Sequence, residues 1–327
     1  MRTDRSHLHL KGENEMLRSM YSGISGMKNF QTKLDVIGNN IANVNTYGFK
    51  KGRTIFNDIM SQTINGATAP GQSLGGVNPK QVGLGSSLAA IDTIHNSGST
   101  QTTARILDLA IAGDGFFQVA PSGDEPMYTR AGNFYMDRDG YLVTSAGMYV
   151  VGFAANKIGD HDNDPNTPDG LMSPEPTDID PSGFDFTTTP PTYTGTADPA
   201  PSYQPIQIPT DAKSMSIGKD GSVTYVDVNG TLKWAGQLVL AKFPNTGGLE
   251  KVGGNLFQRT SNSGDPLINF AGQSGLGSIE SGALEMSNVD LSEEFTEMIV
   301  AQRGFQANTR IITTSDEILQ ELVNLKR

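Results

Sequence analysis

The chain is 327 residues long, 36% hydrophobic, with 38 glycines, 17 prolines and no cysteine. That length accommodates one to three domains, and the lack of cysteine excludes disulfides, thiolate catalysis and Cys-ligated zinc. The net charge of −11 leaves no basic footprint for nucleic acid, and no run approaches the ~18 apolar residues of a membrane span.

The amino terminus, MRTDRSHLHLKGENE, lacks the apolar stretch of a secretory signal. Residues 1–15 read as a polar leader, expected to be disordered, ahead of a second start-like residue, Met16. A true start at Met16 and a disordered arm explain it equally well. Leu17, Met20, Ile24 and Met27 then step by three and four, and Leu34, Ile37, Ile41 and Val44 resume the stripe. This predicts a narrow-faced amphipathic helix. Gly23, Gly26 and Gly38 weaken it by about 1 kcal/mol each, so it needs a partner. Its last turns are rich in amides, because GNNIANVNTYGFK carries Asn39, Asn40, Asn43 and Asn45.

Residues 51–100 are rich in Gly, Ser, Thr, Asn and Gln without a helical period, which predicts extended loop with short strands. From about 104 the pattern becomes β. ILDLAIAGDGFFQVA reads as a strand, a turn at Gly113–Gly115 and a second strand. Further on, Asp139-Gly140, Asp220-Gly221 and Asn229-Gly230 mark turns between alternating residues. Residues 155–205 interrupt this pattern with ten of the 17 prolines. The acidity is also local, since residues 160–205 hold nine acids and no Lys or Arg, leaving 26 acids against 24 bases elsewhere. Such a segment cannot bury enough surface to form its own core. It is expected as a surface excursion, with two or three short strands around Phe184, Phe186 and Tyr193.

The carboxyl terminus predicts a helix from near residue 290 to about 325. Leu291, Phe295, Met298, Gln302, Phe305, Thr309, Ile312, Asp316, Leu319 and Val323 alternate steps of four and three. Asp290 and Glu293 resemble a capping box. The fold class expected is α+β. Terminal helices pack as a coiled-coil-like pair and enclose a central antiparallel β domain with a Pro-rich insert.

Chemistry-bearing constellations are scarce. His7, His9, His95 and His161 are scattered, and no GxSxG elbow, P-loop, HExxH or Rossmann fingerprint occurs. Asp160, Asp162 and Asp164 match the 1-3-5 spacing of a calcium loop, but Pro165 and Leu171 stand where such a loop needs Gly and Glu. They read better as a solvated acidic loop. Glu293/Glu294 and Asp316/Glu317 are sequence neighbours on a helix, pointing about 100° apart, and read as structural. The expectation is a protein that is not an enzyme and takes no cofactor.

Four segments carry a family resemblance. IGNNIANVNTYGFKK resembles the N-terminal signature of flagellar rod and hook proteins. SNVDLSEEFTEMIVAQRGFQANTRIITTSDEILQELVNLKR resembles their C-terminal signature. LDLAIAGDGFFQV and YTRAGNFYMDRDGYLVTSAGMYVVG resemble their central β motifs. Within the family the chain is most similar to a short, Bacillus-like kind of hook protein, itself similar to the distal rod protein. The resemblance implies export, unfolded, through the flagellar type III apparatus, and polymerisation with itself into a helical tube that encloses the export channel. As a hook subunit it would transmit motor torque to the filament; a distal rod subunit is the alternative. Its implied neighbours are rod, cap and hook–filament junction proteins, with neither nucleic acid nor membrane insertion. A cell-surface β adhesin suits the Gly-rich turns but leaves the matched terminal helices unexplained.

On this reading residues 16–60 form the N-terminal helix of an inner-tube (D0) domain and 286–327 its C-terminal helix. Residues 61–103 are a Gly/Ser-rich linker. The β domain spans 104–154 and 206–285 around the insert at 155–205. Leu34, Ile37, Ile41, Val44, Leu291, Phe295, Met298, Gln302, Phe305, Ile312 and Leu319 are the expected packing and polymerisation residues. Asn40 and Asn43 are expected to bond across to other subunits. Gly48 is expected to take a left-handed turn that stops the helix, and Phe49 to anchor that corner against the β domain.

Overall fold

A computed structural model describes residues 4–70, 75–121, 125–154, 184–185, 192–193 and 202–325. The chain divides into two compact units. Unit 1 holds residues 1–43, 51–94 and 289–327; unit 2 holds 44–50 and 95–288.

Unit 1 is built on two long helices, α1 (Asp4–Ala42) and α2 (Leu291–Leu325). Helix α1 starts at Asp4, so residues 4–15, expected as a disordered leader, are helical. No proline interrupts that stretch, and a helix once nucleated propagates cheaply. Helix α2 starts directly after Asp290, whose carboxylate accepts from the backbone N–H of Ser292 at 2.8 Å and of Glu293 at 3.4 Å. Glu293 and Glu294 lie in its first turn, where the helix dipole favours acids.

The helices run antiparallel and meet through small residues. A methyl group on Gly304 would lie 2.5 Å from the Phe30 ring, one on Gly26 would lie 2.9 Å from the Asn308 amide, and Gly23 faces Ile312. The glycines that weaken α1 as an isolated helix therefore let α2 approach closely. No neighbour lies within 4 Å of such a methyl group at Gly38, and nothing in the structure explains that glycine.

Helix α1 ends at Ala42, and the residues after Lys50, expected as helix and then linker, form a ribbon. Strand β1 (Gly52–Asp58) pairs with β4 (Ser86–Thr93), and β2 (Ser61–Asn65) with β3 (Lys80–Gly83), all antiparallel. A bridge between Thr68 and Val77 extends the pairing. A two-stranded ribbon is marginal alone. Its base is held to α1, where Asn29 Nδ2 donates to Ser86 Oγ at 2.8 Å and Gly52 lies against Val36.

Unit 2 is antiparallel β. Strands β5 (Thr100–Thr102), β6 (Leu109–Ala112), β7 (Phe116–Ala120), β8 (Met127–Thr129), β9 (Tyr135–Met136), β10 (Leu142–Val143) and β11 (Tyr149–Ala154) come first. Then follow β12 (Phe184–Asp185), β13 (Thr192–Tyr193), β14 (Ser202–Pro205), β15 (Ser214–Ile217), β16 (Ser222–Val226) and β17 (Leu232–Lys242). The last are β18 (Glu250–Gly253), β19 (Leu256–Gln258), β20 (Leu267–Phe270), β21 (Ser278–Ser281) and β22 (Ala283–Glu285). The main sheet runs β15-β16-β17-β11-β7-β8-β19-β18.

Both faces of its central strands are covered, so they read as apolar runs rather than alternation. Phe117, Val119, Leu238 and Leu240 join an aliphatic core with Leu109, Ile206 and Ile279. Phe116, Trp234, Val239 and Ala241 face a second core rich in rings, including Tyr128, Phe153, Phe243 and Phe257. These rings meet edge to face, as Tyr128 and Phe243 do at 4.7 Å and 87°, the arrangement their quadrupoles prefer.

The turn at Gly113–Gly115 sends its two strands to different partners, β6 to β21 and β7 to β8, β11 and β17. Asn229-Gly230 closes the β16–β17 hairpin, but with Gly230 at φ 83° and Asn229 outside the left-handed region. Gly230 N–H donates to Asp227 O at 2.9 Å. That is a type I turn ending in a glycine bulge, rather than the mirror-image turn that Asn-Gly most often marks. Within the expected insert, β12 pairs with β13 around Phe184 and Tyr193, and β14 joins β11. Asp160, Asp162 and Asp164 lie outside the described residues.

Candidate assembly surface of the helix hairpin

Among the described residues, those that α2 buries are small or polar. Glu294, Ala301 and Ser315 are buried, and Met298, Phe305, Ile312 and Leu319 are half-buried. Leu291, Phe295 and Gln302, from the same predicted stripe, point outward, with Phe295 50% exposed. So do Ile299 and Val300, at 59% and 58%. The intrachain seam thus shares Met298, Phe305, Ile312 and Leu319 with the apolar stripe but is turned toward Glu294, Ala301 and Ser315, where small side chains admit a close backbone. On α1, Ile37 is buried and Leu34 and Ile41 are half-buried, while Tyr21 and Ile24 stay exposed. The hairpin therefore carries large apolar side chains on its outer surface. Contiguous apolar exposure of that kind marks an interaction surface.

The amides of α1 have a use inside the subunit. Asn40 is 2% exposed. Its Nδ2 donates to Gly52 O at 2.9 Å and to Glu294 Oε2 at 3.2 Å, while its Oδ1 accepts from Gly52 N–H at 2.9 Å. One side chain ties the end of α1 to β1 and to the first turn of α2, so it is not directed at other subunits. Asn43 donates to Asn39 O within its own chain. Burial pushes the Glu294 carboxyl above the usual range, against the pull of the Asn40 amide and Lys51. Lys51–Glu293 at 2.8 Å and Lys33–Glu297 at 3.1 Å flank this contact as exposed ion pairs, each worth about 0–1 kcal/mol.

Val44 lies beyond the end of α1, half-buried. Gly48 has φ 70°, the left-handed conformation expected of it. Its N–H donates to Glu285 O at 2.9 Å. Phe49 is half-buried beneath Lys251, whose Nζ lies 5.1 Å from the ring centroid. Sequence reasoning missed Glu294 as a buried partner of Asn40, and missed the seam glycine Gly304. Only the helical spacing of Glu294, Ala301 and Asn308 signals that face.

Among the described residues, no group of three or more His, Asp or Glu is placed to hold a metal, and no helix is long and apolar enough to cross a membrane.

A helix hairpin with apolar side chains turned outward, joined in one chain to a twice-covered antiparallel sheet, is the build of an assembly subunit. Residues 20–50 match the model "Flagella basal body rod protein". Residues 110–225 match "Flagellar hook protein FlgE/F/G D1 domain", and 280–325 match "Flagellar basal body rod FlgEFG protein C-terminal". The chain is 53% identical over 313 residues to the flagellar basal-body rod protein FlgG of Bacillus subtilis, covering 95% of this chain and 100% of that protein. It is 35% identical over 444 residues to the flagellar hook protein FlgE of Borreliella burgdorferi, again covering 95% and 100%. To the FlgG of the same organism it is 34% identical over 318 residues, with the same coverage. The chain belongs to the family of flagellar rod and hook proteins, structural components of the flagellum.

Proposed function

We propose that this chain is a rod-type axial subunit, polymerising with itself into a tube that carries torque from the motor. One observation supports rod over hook. The alignment to the Bacillus FlgG spans 313 residues, close to the chain's own length of 327, while those to the Borreliella and Treponema hook proteins span 444 and 465. The hook relatives carry long segments with no counterpart here. The hook reading keeps its own support, because 35% identity extends over the whole hook protein.

In this reading the hairpin of α1 and α2 forms a coiled-coil-like inner-tube element, and Phe295, Ile299 and Val300 pack against neighbouring copies. Burying three such side chains is worth about 1.5–3 kcal/mol each. Contacts that are not self-complementary then generate an open helical polymer rather than a closed ring. Neighbouring rod, hook, cap and junction proteins and the type III export apparatus are the partners, and the subunit does no chemistry. Immunogold labelling of isolated hook–basal bodies tests the assignment. Gold confined to the rod is expected. Gold along the curved extracellular hook overturns the rod reading in favour of hook, and gold absent from both sinks the axial reading.

A further inference from the structure

The chain passes between its two units at 43/44, 50/51, 94/95 and 288/289. The parts of unit 2 next to those passages are residues 44–50, 95–99 and 283–288. They are far apart in sequence, and one carboxylate joins them. Glu285, 1% exposed, accepts from Lys50 Nζ at 2.6 Å, from the Gly98 backbone N–H at 2.9 Å and from Arg130 Nη1 at 3.1 Å. Its backbone oxygen accepts from Gly48 N–H at 2.9 Å. Lys50 Nζ also donates to Asn96 O at 2.8 Å, and Arg130 Nη2 donates to Gly113 O at 2.7 Å. Lys50 and Arg130 are as deeply buried as the carboxylate they share.

Two buried cations on one buried anion are an expensive way to gain stability. Desolvation offsets most of the Coulomb attraction, and apolar residues would fill the space at equal or lower cost. What the cluster supplies is direction: charge-assisted bonds are short, and each donor here comes from a different segment. We propose that Glu285 is the centre of an ionic clasp that fastens the three passage segments to the β unit as one body, and that torque entering the β unit crosses this clasp. The torque clause rests on the proposed axial function; the fastening does not.

The fastening has a distinctive signature. Backbone bonds also bridge the segments, as from Met286 N–H to Ser99 O at 2.8 Å, but if the ion cluster governs their opening they loosen together when Glu285 is neutralised. Hydrogen exchange on the purified full chain reads this directly. Glu285→Gln is expected to accelerate exchange about tenfold or more in 44–50, 95–99 and 283–288 alike, the equivalent of one lost charge-assisted hydrogen bond. The amides of β17 should keep their protection. Acceleration in one segment alone overturns the proposal. The triple variant Lys50→Met, Arg130→Met, Glu285→Met covers the case in which Glu285→Gln unfolds, because it leaves no charge unpaired. It should fold with β17 protected yet show the same joint loosening. Protection equal to wild type in all three segments would show that packing, not the ion cluster, holds them, and would refute the clasp.

In cells lacking the native protein, the triple variant should restore swimming in dilute medium and fail as viscosity rises. Swimming equal to wild type at every viscosity overturns the torque path. Intact swimming in cells that lack the protein altogether would instead count against the axial reading, and leaves the exchange result standing.

Discussion

Gly48→Ala tests the corner at which the amide-rich segment enters unit 2. Gly48 has φ 70°, and a side chain in the left-handed region costs about 1–2 kcal/mol. The added methyl would also lie 2.5 Å from Ala131 N, 2.7 Å from Arg130 C and 2.9 Å from Ala131 Cα. All three are backbone atoms, so no rotamer change relieves the contact, and overpacking adds about 1–3 kcal/mol. The expected loss is therefore about 2–5 kcal/mol. Gly230→Ala is the matched control. Its φ is 83°, and nothing lies within 4 Å of the new methyl, so only the conformational cost of about 1–2 kcal/mol applies. Trp234, the single tryptophan, is buried in unit 2 and reports its unfolding in urea by fluorescence. The difference between the two variants isolates the contact. Losses agreeing within about 0.5 kcal/mol, the usual scatter of surface substitutions, would refute the packed corner.

Two further outcomes are expected. Gly304→Leu should lower the melting temperature of the helical circular dichroism signal. Its Cβ alone would lie 2.5 Å from the Phe30 ring, and overpacking of about 1–3 kcal/mol exceeds the roughly 1 kcal/mol of helix propensity gained; an unchanged or raised midpoint contradicts the close seam. His95 should make unit 2 acid-sensitive. Burial, then Lys50, Lys251 and Arg130, bring its pKa down from 6.5 to about 4. In that window the unfolded chain binds more protons, so stability is full above pH 6.5 and falls as pH drops toward 4, by at most about 3 kcal/mol. His95→Phe should flatten this dependence in urea titrations at pH 7 and 4.5, and an unaltered slope would rule His95 out.

Local chemistry made some of this legible in the sequence. Asp290 ahead of Glu293 marks the start of α2, the Asx-Gly pairs mark the β15–β16 and β16–β17 hairpins, and Gly48 marks a left-handed turn, although α1 already ends at Ala42 and Gly48 does not stop it. The signals fail where partners are distant or small. Asn40 meets Glu294 across 254 residues, and Lys50 meets Glu285 across 235; no spacing rule connects such pairs. The seam of α2 runs through Gly304, Ala301 and Ser315, which carry no hydropathy signal, so the apolar stripe marks only one edge of the seam, at Met298, Phe305, Ile312 and Leu319, and leaves Leu291 and Phe295 outside it. The ribbon of β1 to β4 is polar enough to read as linker, and its outer strands pair across about thirty intervening residues.

The pairing of β5 with β22 and of β6 with β21 has a consequence for the order in which the fold can close. Among the described residues, those are the pairings these two early strands make. The ladder bonds of β5 and β6 must therefore wait for residues 278–285, and Lys50 and Arg130 wait for the same stretch to meet their counter-charge. A chain delivered amino end first carries its β unit open until Ser278–Glu285 has emerged. Residues 278–285 act as the fastening thread of a seam whose first stitches were laid at residue 44.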